Sequence, residues 1–148
     1  MTAVEAARGW LGTPYHSGAR VKGVGVDCCQ LLIAAFEESG YLAPHECRPA
    51  PYSHEWHLHR SEELYLQNLL RYCHEVTDPR PGDIAMFRFG RCASHGGIMI
   101  DKNSLIHAYV GQGVIITAIG DVLLCDKRGK SRLAGYYRPQ EKTTEGRA

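Results

Sequence analysis

The sequence of 148 residues lacks the features of several specialised protein classes. No apolar run approaches the roughly 20 residues of a membrane-spanning helix, and the first ten residues have neither the basic start nor the apolar stretch of a signal peptide. With 17 basic and 16 acidic residues, the chain has no basic surplus of the kind that nucleic-acid-binding proteins carry. We therefore expect a protein made in the cytoplasm without an export signal, with no membrane span and no nucleic-acid partner.

Cysteine pairs of the kind that bind metals or form redox centres are also missing. The six cysteines include no C-x-x-C spacing, and Cys28 and Cys29 are neighbours, which disfavours a mutual disulfide. We expect six free thiols in a reducing compartment, no metal and no cofactor. His54, His57 and His59 could bind a metal ion, but no zinc-site spacing completes the set, so a solvated or interface loop is favoured.

The length suits one domain, and 16 glycines with seven prolines predict many turns. We assign residues 1–138 to a single domain. Within it, residues 41–80 form a variable insert rich in proline, histidine and tyrosine, with a short helix predicted over residues 61–73. Residues 139–148 form a polar tail that is expected to fray.

Hydrophobic periodicity predicts helices first and strands afterwards. A first helix is predicted over residues 2–11, and a second over residues 28–40 with Asp27 as its N-cap. Residues 14–26 contain three glycines and read as an irregular loop. An antiparallel meander is predicted from short runs at residues 84–89, 97–100, 105–109, 114–118 and 133–137. This order indicates an α+β fold in which the second helix packs on an antiparallel sheet of about five strands.

Cys28 stands where a helix can activate a thiol. The thiolate is the nucleophilic form of cysteine, and both the positive end of a helix and a nearby imidazolium lower the pKa of a thiol. Backbone N–H groups of the first turn can also face an oxyanion. The alternative is a buried structural thiol, which is the commoner role of a lone cysteine on a helix.

Two of the eight histidines, His95 and His107, lie in consecutive strand-forming runs joined by a polar turn. If Ile100 pairs with Ser104 across a three-residue loop, both imidazoles share one face of the hairpin, within about 5–8 Å at Cβ. As single residues each would more often be structural. A thiol with a base and a second residue that orients the base is the combination that indicates catalysis.

These residues stand in motifs that resemble the NlpC superfamily of papain-like cell-wall endopeptidases. The active-site signature is similar to LGTPY at residues 11–15 and VDCCQL at residues 26–31. The histidine strand and the strand after it are similar to SHGGIMI at residues 94–100 and LIHA at residues 105–108. The entry into the sheet resembles PGDI at residues 81–84, so the likeness covers most of residues 5–137.

The resemblance implies a papain-like NlpC fold and a Cys-His-His triad. Cys28 would be the nucleophile, His95 the base and His107 the residue that orients the base. The implied reaction is hydrolysis of the bond between γ-D-glutamate and the diamino acid of peptidoglycan stem peptides, through a thioester.

The resemblance also implies residues that bind the substrate. Tyr15 and Asp27 match positions that hold the free amino end of the stem peptide. The family commonly has Ser-Gly after the nucleophile, whereas this chain has Cys29 and Gln30. That difference would narrow the pocket or alter the substrate.

The chain is most similar to single-domain members of the family encoded with phage tails and gene transfer agents, including its APYSHEW segment at residues 50–56. This implies a virion protein that docks on tail tip or hub proteins through residues 41–80, where Tyr41, Tyr52 and Trp56 are of the type enriched at interfaces. The alternatives are a docking module with little activity, a cytoplasmic muropeptide-recycling peptidase, and an amidase or acyltransferase.

Overall fold

Helices cover one face of a six-stranded antiparallel sheet in a computed structural model that describes residues 1–47, 66–90 and 92–140. The N-terminal part contains α1 (Ala3–Arg8) and α2 (Cys28–Glu38), with a two-stranded ribbon of β1 (Arg20–Val21) and β2 (Gly25–Val26) between them. The sheet strands are β3 (Cys73–Val76), β4 (Ile84–Phe89), β5 (Cys92–Met99), β6 (Ser104–Tyr109), β7 (Gly113–Ala118) and β8 (Leu133–Pro139). The predicted α+β class is confirmed.

Helix α1 is shorter than its hydrophobic pattern predicts. It begins after Thr2, whose hydroxyl accepts the N–H of Glu5 at 3.1 Å as an N-cap does. It ends at Arg8, and the N–H groups of Trp10 and Leu11 bond three residues back instead of four. The apolar spacing continues through these tighter turns, which is why the prediction extended to residue 11.

Helix α2 carries the main apolar surface of the N-terminal half. Asp27 is its N-cap, as predicted, and its Oδ1 accepts the N–H of Gln30 at 2.8 Å. The helix ends at Glu38, two residues earlier than predicted, and Gly40 has a φ of +86°, outside the right-handed helical range. Trp10 donates from Nε1 to Glu38 at 2.7 Å and so joins the end of α1 to the end of α2.

The sheet is a meander only from β4 to β7. The strand order is β3-β8-β4-β5-β6-β7, so the last strand returns to lie between β3 and β4. The sequence did not predict β3, whose first residue, Cys73, is the last residue of the segment predicted as a helix. Residues 66–70 are helical, but the chain turns at residues 71–72 and then pairs with β8. Residues 61–65 of that predicted helix lie outside the described residues.

The two faces of the sheet bury separate apolar clusters. Alternating residues of the strands, among them Ile98, Ile106 and Ala108, pack against α1 and α2. The residues between them point to the opposite face, where Met99 and Leu105 join a second cluster. The full second cluster consists of Ala85, Phe87, Met99, Leu105 and Leu124.

No disulfide joins the cysteines whose side chains the structure describes, which are Cys28, Cys29, Cys47, Cys73 and Cys125. None of the helices that the structure describes has the length and apolar character to cross a membrane. Tyr41, one of the predicted docking residues, packs edge-on against Phe36 at a ring distance of 6.0 Å and is partly buried against the helix-side core. The other residues named for docking or metal binding lie outside the described residues: Tyr52, His54, Trp56, His57 and His59.

Candidate active site

The pairing of β5 with β6 places both predicted catalytic histidines on one face. Ile98 lies opposite Ile106, and the N–H of Ile100 donates to the carbonyl of Ser104 at 2.9 Å. This is the register expected from a three-residue loop. Because side chains alternate along a strand, the two imidazoles point to the face opposite α1 and α2.

The two imidazoles form a hydrogen-bonded chain. Nε2 of His95 lies 2.8 Å from Nδ1 of His107, and Nε2 of His107 lies 2.9 Å from Oγ1 of Thr117. His95 is 7% exposed and His107 is fully buried. The first of these bonds leaves Nδ1 of His95 as the ring nitrogen that can exchange a proton with another group.

A β-bulge places Cys28 close to the strand that carries the hydrogen-bonded His95. Phe87 pairs with His95 and Arg88 pairs with Ala93, so Ser94 is an extra residue in β5. The thiol of Cys28, at the first position of α2, donates to the carbonyl of Ser94 at 3.7 Å. The nucleophile position therefore lies beside the residue that precedes His95, although α2 packs on the other face of the sheet.

Aromatic rings surround His95 and keep it neutral. Phe89 and Tyr109 approach edge-on at ring distances of 5.6 and 5.7 Å, and Phe87 lies at 6.0 Å. Burial, with a smaller effect of the neighbouring His107, lowers the pKa of His95 from 6.5 to about 3. The sequence suggested an imidazolium that lowers the thiol pKa, whereas the structure favours a neutral ring that can accept a proton.

Burial has the same effect on His107. It lowers the pKa of this ring from 6.5 to about 4, and the carboxylate of Asp121 opposes the shift. Burial therefore favours the uncharged form of both rings, in which each ring carries one proton on one of its two nitrogens.

A cavity of about 210 Å³ opens at the thiol and the first imidazole. Its walls are Tyr15, Cys28, Phe89, Ser94, His95, Tyr109 and Val110. A larger cavity, of about 770 Å³, lies near the start of α1 and the end of β8 and contains none of the predicted catalytic residues. The smaller cavity is the candidate site because it combines a thiol with a base.

The structure separates the residues predicted to bind substrate. Tyr15 lines the cavity, whereas Asp27 and Cys29 are fully buried and do not. Asp27 accepts the N–H of Gly18 at 2.7 Å on Oδ2 in addition to its capping bond, so it orders the loop before α2. Cys29 is turned about 100° around the helix from Cys28 and packs in the core. Gln30 is buried as well, and neither residue lines the cavity.

Sequence reasoning missed several residues of the site. Phe89, Tyr109 and Thr117 were assigned only to strands. Tyr109 could have been found, since it follows His107 by two residues and so shares its face. The bulge at Ser94 has no comparable signal in the sequence. Among the described residues, no group of three or more His, Cys, Asp or Glu side chains could hold a metal ion.

Gly97 allows the two histidine strands to approach. A Cβ atom at Gly97 would lie 2.6 Å from Cδ1 of Leu105 and 2.9 Å from Cβ of His107. We expect Gly97→Ala to lower the free energy of unfolding by about 1–3 kcal/mol and to reduce activity by displacing His107. Urea unfolding and a rate assay would measure both effects.

Gly120→Ala is the matched control, because a Cβ atom at Gly120 meets nothing within 4 Å. Its stability and rate should stay near those of the wild type. Equal effects of the two substitutions would contradict the steric explanation.

Comparison with known proteins identifies similar sequences. The model of the NlpC/P60 family matches residues 12–128. The murein DD-endopeptidase MepS/murein LD-carboxypeptidase of Escherichia coli (strain K12) is 27% identical over 112 residues, which make up 76% of this chain and 50% of that protein. This chain thus spans half the length of that relative.

Solved structures support the fold. An NLP/P60 family protein similar to lipoprotein, from Staphylococcus aureus, matches with a TM-score of 0.63 at 18% identity, covering 95% of this chain and 41% of that one. The NlpC/p60 domain of the peptidoglycan hydrolase SagA matches with a TM-score of 0.56 at 17% identity, covering 80% of this chain and 87% of that one. The arrangement of helices and sheet is thus shared with both.

Proposed function

The chain belongs to the NlpC/P60 family, a family of cysteine peptidases, and from this we propose that it hydrolyses amide bonds in peptidoglycan stem peptides with Cys28 as nucleophile. The observation that carries the proposal is a cavity lined by both the thiol of Cys28 and the imidazole of His95, which is itself hydrogen-bonded to a second imidazole. A buried structural cysteine would have no need for this hydrogen-bonded pair of bases.

The first half of the reaction forms a thioester. The thiol proton of Cys28 passes to Nδ1 of His95 as Sγ bonds to the carbonyl carbon of the substrate. The positive end of the α2 dipole stabilises the negative charge that develops on the thiolate and then on the carbonyl oxygen. The C–N bond breaks as the leaving amine takes the proton from His95.

The second half of the reaction regenerates the thiol. Water attacks the thioester carbon and gives a proton to His95, the C–S bond breaks, and the departing sulfur takes up that proton. His107 orients His95 throughout, because the bond from Nε2 of His95 fixes the plane of the ring and directs Nδ1 towards the cavity. His107 is thus the proposed third member of the triad.

We propose the bond between γ-D-glutamate and the diamino acid as the bond cleaved. A cavity of about 210 Å³ is smaller than a typical ligand pocket, which suits the atoms around one scissile bond. Tyr15, on the cavity wall, is the proposed contact for the amino end of the stem peptide. Asp27 would act there indirectly, by holding the loop that carries Tyr15.

Defined muropeptides test this proposal. Monomeric stem peptides and cross-linked dimers, incubated separately with the protein, should give different products, which mass spectrometry identifies. Cleavage after γ-D-glutamate in the monomer is the expected result. Conversion of dimers to monomers would instead assign the DD-endopeptidase activity named for the E. coli relative. No product from either substrate would contradict a peptidase function.

The route to the substrate remains the one proposed from the sequence, association with a phage-like tail through residues 41–80. Residues 48–65 of that segment lie outside the described residues, and the support is the likeness of residues 50–56 to tail-associated family members. Mass spectrometry of purified particles should detect this chain. Free enzyme in the cytoplasm, with none in particles, would favour the muropeptide-recycling alternative.

A further inference from the structure

We propose that Thr117 is a positioning residue of this site, whose hydroxyl accepts the Nε2 proton of His107 and so supports the tautomer in which Nδ1 of His95 is free of a proton. The inference rests on the proposed roles of the two histidines. Thr117 would be the fourth residue of the site, after Cys28, His95 and His107. It lies on β7, a strand that the sequence motifs did not include.

The position of Thr117 follows from the strand register. On β7, Ile115 lies opposite His107 and Thr117 lies opposite Leu105. Thr117 is therefore a diagonal neighbour of His107 on the same face of the sheet. Its Oγ1 lies 2.9 Å from Nε2 of His107, the ring nitrogen that does not face His95.

The donor and acceptor in each hydrogen bond of this network determine those in the next bond. To accept the thiol proton, Nδ1 of His95 must be unprotonated, so the neutral ring carries its proton on Nε2. That proton is donated to Nδ1 of His107, which must then be unprotonated as well. His107 consequently carries its proton on Nε2 and donates it to the hydroxyl oxygen of Thr117.

Loss of the hydroxyl would favour the wrong tautomer. Without an acceptor, a proton on the buried Nε2 of His107 would be unsatisfied, and burying an unsatisfied donor is costly. Moving that proton to Nδ1 makes His107 the donor to His95. Nε2 of His95 would then accept, Nδ1 would carry the proton, and the ring could no longer take one from Cys28.

The charge of Asp121 also affects the protonation of His107. The carboxylate of Asp121 favours the protonated form of His107 and opposes the effect of burial. Its Oδ1 accepts the N–H of Leu123 at 2.9 Å, in the turn that follows β7. Oγ1 of Thr117 lies within hydrogen-bond distance of Nε2, so it is the group that can accept the Nε2 proton of the tautomer that the proposal requires.

NMR of the wild-type protein tests the tautomer directly, without a substrate. Ring nitrogen resonances at pH 7 should show His107 protonated on Nε2 and unprotonated on Nδ1, and His95 likewise. A proton on Nδ1 of His107 would overturn the proposal. Because this measurement needs no turnover, it can fail or succeed independently of the peptidase function.

Two variants at the same position separate the hydroxyl from the shape of the side chain. Thr117→Val keeps the volume but lacks the acceptor, and should reduce kcat by about 10–100-fold, the usual effect of removing a group that orients a ligand or base, with little change in KM. Thr117→Ser restores the hydroxyl and should recover activity. The rate at which iodoacetamide alkylates Cys28, followed by peptide mass mapping, gives a second measurement that needs no substrate. This rate should be lower in the valine variant than in the wild type.

Thr77→Val is the matched control, since Thr77 is exposed after β3 and away from the cavity. Circular dichroism would establish that each variant folds. Wild-type kcat and alkylation rate in a folded Thr117→Val protein would overturn the proposal. If the valine variant does not fold, the serine variant still tests the proposal. A folded Thr117→Ser protein whose Cys28 is alkylated more slowly than in the wild type would contradict it.

Discussion

Cys28→Ala is expected to lower kcat on muropeptides by a factor on the order of 10⁴ to 10⁶, the range seen when a nucleophile is removed from a unit of cooperating residues. The free energy of unfolding should change by only about 1 kcal/mol, because the substitution removes one sulfur atom at the first position of a helix. Without Sγ no thioester can form, so the loss should appear in single-turnover experiments and in the steady state.

Cys29→Ala provides a matched control for this change. It makes the same substitution at the next residue of α2, where the thiol is fully buried in the core and does not line the cavity. We expect a similar small loss of stability and a rate close to that of the wild type. Loss of activity in the Cys29 variant with retention in the Cys28 variant would overturn the assignment of the nucleophile.

The parts of the site that obey local rules could be predicted from the sequence. Asp27 is followed by an apolar helical pattern, so its position as N-cap and the placement of Cys28 in the first turn depend on neighbouring residues alone. The shared face of His95 and His107 depends only on strand alternation and an odd loop length. Both predictions are confirmed by the helix cap and by the register of β5 and β6.

The parts that depend on distant segments could not be predicted. The strand β3 exists because β8 returns to pair with it, and no pattern within its four residues indicates that partner. The bulge at Ser94 arises where β4 and β5 change register. Thr117 reaches His107 only because β7 pairs with β6, and a threonine in a strand is otherwise unremarkable in sequence.

The charge state of the histidines also required the structure. A cysteine and a histidine in sequence suggest a thiolate and an imidazolium, since each ion stabilises the other. Phe89, Tyr109 and the sheet exclude water from His95, and the desolvated ring favours its neutral form. The sequence reveals which residues take part, whereas burial decides how their protons are distributed.

The stability of the protein is expected to fall steeply as the pH is lowered from 6.5 to 4.5. In the folded state, burial holds the pKa of His95 at about 3 and that of His107 at about 4, against 6.5 for both when exposed. The unfolded chain therefore binds protons at these two rings first. Their contribution to stability is fully present above pH 6.5 and is lost as the pH falls towards the folded-state values, at about 2.7 kcal/mol per pH unit for two protons.

His107→Gln removes one of the two titrating rings while keeping an acceptor for His95 and a donor for Thr117. Urea unfolding at several pH values should show that the free energy of unfolding decreases less steeply with falling pH in the variant than in the wild type. The two slopes should differ by about 1.4 kcal/mol per pH unit, the contribution of one proton. At pH 8 the rings are neutral in both states, so the difference measured there gives the effect of the substitution without its proton linkage. Parallel curves from pH 8 to 4.5 would mean that His107 titrates alike in the folded and unfolded states.

A wild-type His95 that remains charged above pH 7 would instead establish the thiolate–imidazolium pair, because only a negative charge at Cys28 could outweigh the burial of that ring.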